Sequence, residues 1–186
     1  MASSKRAQSR YQSGRMAFCG LMVGLSAALM LAGGWIPIAT YCAPLYGGIL
    51  LLPVLIEYGK KSAWTAFAAA ALLSLFLCGD KEAAFFYLFI GYYPIVKSRF
   101  DSIRRRPVRI AAKLVFFNVS LVGMYALLSA LLGLEVLRDF EEMGAVLLAF
   151  FAVAMNACML LYDQLLVSMS LLYVRRLRPK FRFLRR

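Results

Sequence analysis

Residues 91–113, GYYPIVKSRFDSIRRRPVRIAAK, interrupt an otherwise apolar chain. They carry Lys97, Arg99, Arg104, Arg105, Arg106, Arg109 and Lys113 against a single acid, Asp101. At the centre of a bilayer each Arg or Lys costs about 2.5–3.5 kcal/mol. The stretch is therefore expected as a loop, and the positive-inside rule makes it a cytoplasmic one. Its side of the membrane sets the direction of every apolar run before and after it.

Those runs define the class. The chain is 62% hydrophobic with no His, and its mean hydropathy is +0.72. Soluble domains are about half apolar, and here the excess lies in long runs. The expected fold is all-α, a polytopic membrane bundle of six transmembrane helices with both termini cytoplasmic. At 186 residues it is expected to form one bundle without a separate catalytic domain.

The expected order begins with a disordered cytoplasmic basic tail, 1–15. A six-helix domain, 16–173, follows, and a second cytoplasmic basic tail, 174–186, ends the chain. The first helix (16–34) is read as uncleaved, because its run is long for a signal peptide and Ala32-Gly33-Gly34 is a poor cleavage site. Residues 35–41, with Trp35, Pro37 and Tyr41, form an uncharged outer loop. A short second helix (42–58) contains Pro44, Gly47, Gly48 and Pro53, and is expected to bend. Residues 59–62 make an inner turn, 63–78 the third helix and 79–82 an outer turn. The fourth helix (83–96) is aromatic, with Gly91 and Pro94 distorting its inner end. The fifth (110–133) and sixth (143–173) flank an acidic outer loop, 135–142.

The charges support this layout. It puts 20 of the 22 basic residues on the inner side and six of the nine acids on the outer side. The net charge of +13 is thereby explained by topogenesis and by attraction to anionic membrane lipids, at about 1 kcal/mol per basic residue near the surface. A nucleic-acid partner is not expected.

Enzyme signatures are missing. Without His there is no imidazole base and no His metal ligand, so neither a catalytic residue nor a metal site is assigned. Gly59-Lys60-Lys61-Ser62 resembles the end of a P-loop, but Val54 stands where its first Gly is required. No cofactor is implied. Cys19, Cys42, Cys78 and Cys158 are scattered and read as small packing residues, with a Cys42–Cys78 disulfide left open.

A few residues could carry chemistry. Asp163 lies deep in a spanning helix, about 18 Å above Arg175, and Asn118 lies about 13 Å above Arg109 on the preceding helix. Similar depth allows an Asn118–Asp163 hydrogen bond. That pair reads either as a structural clasp or as a substrate or proton site. Asn156 shares a face with Asp163 about 10 Å farther out, where an amide can read a ligand or simply pack. Glu57 is expected in an interfacial ion pair with Lys60 and Lys61. Trp35, Tyr41, Tyr46, Tyr87 and Tyr125 fall in the outer half, together with Phe86. They could wall a pocket for a small planar substrate, or form an aromatic belt. Gly20, Gly24, Ala28 and Ala32 recur every four residues on the first helix, as Ala66 and Ala70 do on the third. Such faces let helices approach closely, within the chain or with a partner.

The basic start, the Ala28–Ala32 AxxxA pattern, the Pro-containing outer loop and Ala43-Pro44-Leu45-Tyr46-Gly47-Gly48 leading to Gly59 carry a family resemblance. Over 16–173 the chain resembles the substrate-binding S-components of energy-coupling factor (ECF) vitamin transporters. It also looks like multi-helix membrane proteins of Gram-positive bacteria. The ECF resemblance implies capture of a small-molecule micronutrient from outside. It further implies docking on a transmembrane coupling subunit driven by two ATPases. Ala28 and Ala32 would dock, residues 35–41 would form a mobile lid, and the outer ends of helices four to six would form the pocket. The rival readings are a non-transporting membrane scaffold and a lipid-directed enzyme using Asp163.

Overall fold

The computed structural model describes residues 2–34, 39–132 and 144–178, with side chains in the first helix described from Gln12 onward. The described residues are helical, with no strand among them. The helices are α1 (Ala2–Gly33), α2 (Ala39–Ile49), α3 (Leu51–Leu77), α4 (Lys81–Ile90), α5 (Tyr93–Asp101), α6 (Arg106–Leu132) and α7 (Gly144–Leu172). A π-helical turn, Tyr173–Leu177, extends α7.

Among the described residues, three stretches are long and apolar enough to cross a membrane: Gln12–Gly33, Arg106–Leu131 and Val146–Leu177. The pair Thr40–Ile49 and Leu51–Leu77, bent by 52°, makes a fourth if it is one span. Large apolar side chains cover the outside, among them Phe76, Val146 and Phe150, each more than 70% exposed. In water such a surface would aggregate. This architecture is compatible with a multi-pass membrane protein.

The breaks follow from local chemistry. Pro53 has no N–H to donate to the Ile49 carbonyl, and its ring crowds that carbonyl. The helix bends there, between α2 and α3, as the prolines of 42–58 led one to expect. Within α3 the helical backbone is broken at Gly59, which has φ 78° and ψ −179°, a conformation open essentially to Gly alone. The break falls at the start of the expected turn, 59–62, but residues 60–62 are themselves helical. The expected fourth helix is likewise split, into α4 and α5, at Gly91–Tyr92. Pro94 then sits in the first turn of α5, where its missing N–H is harmless.

Two expectations are corrected. Residues 91–113 are not a loop, because only 91–92 and 102–105 lie outside α5 and α6, and Lys97 and Lys113 are buried. The insertion cost that argued for a loop applies to isolated charges, and these two are paired. Residues 2–15 are not an irregular tail either. Their backbone continues α1, since the segment holds no Pro and its only Gly, Gly14, is tolerated. Trp35 and the acidic loop 135–142 lie outside the described residues, and Thr40 and Tyr41 belong to α2.

Two cores organise the packing. In one, Phe18, Val23 and Met30 of α1 meet Ala63, Ala66 and Ala70 of α3. In the other, Phe86 and Ile90 of α4 meet Met124 and Leu128 of α6 and Met159 of α7. α2 lies between α1 and α4. Its Gly48 allows the contact, because a Cβ there would stand 2.6 Å from the Tyr162 hydroxyl and 3.2 Å from the Gly91 carbonyl oxygen. Gly48→Ala is expected to lower unfolding stability by about 1–3 kcal/mol. Thermal unfolding in mild detergent would show this as a lower Tm than that of wild type, whereas Gly24→Ala, where a Cβ meets nothing within 4 Å, does not lower Tm.

Candidate functional site

The strongest concentration of charge inside the bundle sits where α5, α6 and α7 meet. Asp163 accepts from the Tyr93 hydroxyl at 2.6 Å on Oδ1 and from Lys113 Nζ at 2.8 Å on Oδ2. Lys97 Nζ also donates to Oδ1. Lys113 Nζ reaches on to Asp101 Oδ1 at 2.6 Å, and Lys97 Nζ lies 3.5 Å from Asp101 Oδ2. Two lysines and two aspartates thus alternate around a closed ring. The lysine side chains are 11% and 5% exposed, Asp163 18% and Asp101 40%, so the ring is open to its surroundings at one corner. Buried charges are stable only when paired and hydrogen-bonded, and the ring supplies both conditions.

Asn118 does not bond to Asp163. Its Nδ2 donates to Asn156 Oδ1 at 2.8 Å, and each amide also donates to its own helix, Asn118 to the Leu114 carbonyl and Asn156 to that of Ala152. The antiparallel register of α6 and α7 explains the exchange. Lys113 is five residues from Asn118, and Asp163 is seven from Asn156, so the two pairs stack at separate depths. Taking Arg109 and Arg175 as equal depth marks places Asn118 too far inward by about two turns.

At the opposite end of the bundle, Glu82 Oε1 accepts from Tyr41 at 2.7 Å and from Tyr125 at 2.9 Å. Beside it, Asp80 accepts from Thr40 Oγ1 at 2.7 Å and from the Ala83 N–H, capping α4. The Tyr41 ring packs edge-on against Phe86 and Phe151. Lys81 turns away to donate to the Leu75 and Cys78 carbonyls at the end of α3.

Of the residues expected around a substrate, Tyr41, Phe86 and Tyr125 come together. Tyr46 lies on a lateral groove of about 450 Å³ between α2 and α7, which Leu45, Cys158, Leu161 and Leu165 also line. Tyr87 is fully buried against Phe67 and Gly47. Asn156 is held by Asn118, and Trp35 lies outside the described residues. Glu57 pairs with Arg178, 3.1 Å away at Nε, rather than with the exposed Lys60 and Lys61. All four cysteines are free. Among the described residues no His, Cys, Asp and Glu side chains group as metal ligands.

The two small-residue faces have opposite fates. Ala66 and Ala70 are buried against α1, whereas Gly20, Gly24, Ala28 and Ala32 are exposed. A Cβ at Gly20 or Gly24 would meet nothing within 4 Å. Sequence reasoning had named this face without fixing its direction, and it had missed Lys97, Lys113 and Tyr93 as partners of Asp163. Comparisons with protein families, with curated proteins and with solved structures found no match.

The ring makes a sharp energetic prediction. Asp163→Ala leaves two buried ammonium groups sharing one exposed carboxylate, and is expected to cost about 3 kcal/mol or more. Adding Lys113→Gln restores charge balance through Lys97 and Asp101, so the double variant should be more stable than the sum of the singles by about 1–3 kcal/mol. Asn156→Ala should cost only about 0.6 kcal/mol. Equilibrium unfolding of the four variants in one detergent would measure all three values.

Proposed function

We propose that this chain is the substrate-binding membrane subunit of a multi-component importer of the ECF type. On this reading it crosses the cell membrane six times with both ends cytoplasmic, and it takes a small micronutrient from outside. The observation that carries the reading is the outward face of α1. Gly20, Gly24, Ala28 and Ala32 form a strip without bulky side chains, and in lipid such a strip associates with another helix through close backbone approach. α3 shows the same pattern in use, with Ala66 and Ala70 packed on α1. The α1 strip fits a second membrane subunit of the same geometry. The described chain holds no nucleotide-binding motif, so the energy for uptake comes from partner ATPases. In this reading the substrate enters between the outer ends of α2, α4 and α6, where Tyr41, Glu82 and Tyr125 converge.

Gly24→Leu combined with Ala28→Leu tests the assignment. Both changes are compatible with lipid, and neither position is packed within the chain. Tagged wild-type protein purified gently from its native cell is expected to bring down a membrane subunit and two ATPases. The double variant is expected to lose them while its Tm stays unchanged. Retention of the partners by the variant would remove the docking face. Recovery of wild type alone and without a bound small molecule would return the chain to a non-transporting membrane scaffold.

A further inference from the structure

The ionic ring has two unequal acids. Asp163 sits in the middle of a long helix and is held by three donors, Tyr93, Lys97 and Lys113. Asp101 is the last residue of α5, is 40% exposed, and is followed by the short non-helical stretch 102–105. Among the described residues it is held by the two lysines alone. One corner of the ring is thus fixed and the other can be withdrawn.

We propose that Lys97 and Lys113 form an oxyanion site at the basic end of the bundle, taking a phosphate group in exchange for the Asp101 carboxylate. Asp101 itself displays the chemistry of the site, because its two oxygens lie 2.6 and 3.5 Å from the two ammonium groups. Charge decides what replaces it. With Asp101 withdrawn, Lys97, Lys113 and Asp163 leave one net positive charge, which one singly charged oxyanion neutralises. A phosphodiester carries that charge, and so does the monobasic form of inorganic phosphate. Access is from the exposed corner. There Arg99, Arg104, Arg105 and Arg106 are all exposed, and their summed field concentrates anions at a membrane surface. A ring that served only to clamp three helices would have no need of an exposed corner.

The test uses the full chain in mild detergent, with Asp101→Asn and Asp101→Asn/Lys113→Gln as variants. The double variant keeps a neutral Lys97–Asp163 pair, so it remains comparable with wild type even if the single variant folds poorly. Retention of phosphatidylglycerol relative to phosphatidylcholine is read by native mass spectrometry. Stabilisation by inorganic phosphate is read by thermal shift against sodium chloride of equal ionic strength. Asp101→Asn is expected to bind the anion about fivefold more tightly than wild type, the effect of one elementary charge near the surface. The double variant is expected to bind it more weakly than wild type. A gain seen only with phosphatidylglycerol assigns the site to a lipid headgroup, and one seen with inorganic phosphate alone assigns it to a soluble phosphate. Equal binding by wild type and the double variant overturns the proposal.

Discussion

In a bilayer, helices gain nothing from the hydrophobic effect by touching each other, since lipid tails are as apolar as leucine. Polar bonds between helices then decide which faces meet. The Lys97–Asp163–Lys113–Asp101 ring is the largest such bond among the described residues, and the neighbouring geometry follows from it. α5 must bring Lys97 and Tyr93 to one point, so it departs from α4 at Gly91–Tyr92 rather than continuing it. α6 must begin early enough for Lys113 to enter the bundle, and it starts at Arg106. α7, whose outer surface is almost entirely apolar and exposed, is fixed in rotation by Asp163, by Asn156 on Asn118 and by the Tyr162 hydroxyl donating to the Leu45 carbonyl.

That dependence also explains what could be read from the sequence. Apolar runs and their breakers are local signals, so the helical class, the bend before Pro53 and the break at Gly59 were legible. So was the place of Asp163 as an acid inside a helix. Its counter-charges were not, because they lie 66 and 50 residues away in the chain. A window that sees Lys97 among arginines assigns it the cost of a lone ammonium ion and places it in a loop. The cost disappears once a carboxylate from another helix stands beside it. Asn118 failed for a related reason. Depth measured from flanking arginines is off by about two turns here, more than the five residues that separate Lys113 from Asn118, and that exchanges a lysine for an asparagine as the partner of Asp163.

The small-residue faces show a second limit of sequence reading. Spacing of four reports that a backbone can be approached closely, but not from which side. In water the buried face of a helix is its apolar face, and the pattern carries direction. In α1 both faces are apolar, so Gly24 and Ala28 read the same whether they face α3 or lipid. Only the packing of Phe18, Val23 and Met30 against the alanines of α3 shows that the other side is free.

The polar contacts fall into three layers along the bundle. Thr40–Asp80 and Tyr41–Glu82–Tyr125 join α2, α4 and α6 at one end. Ser26 on the Gly47 carbonyl, Asn118 on Asn156 and Tyr162 on the Leu45 carbonyl cross the middle. The ionic ring and Glu57–Arg178 close the other end. α2, α6 and α7 are each tied in at least two of these layers, which fixes both their rotation and their height. α1 is tied weakly by comparison, through the 3.3 Å Ser26 bond and the Cys78 thiol on the Met30 carbonyl. What holds α1 is the close packing of Ala66 and Ala70 along its inner side. A helix held by small-residue packing on one face can accept the same kind of contact on the other without breaking a polar bond. The exposed strip on α1 is therefore the surface where a second membrane helix can be added at least cost to the rest of the fold.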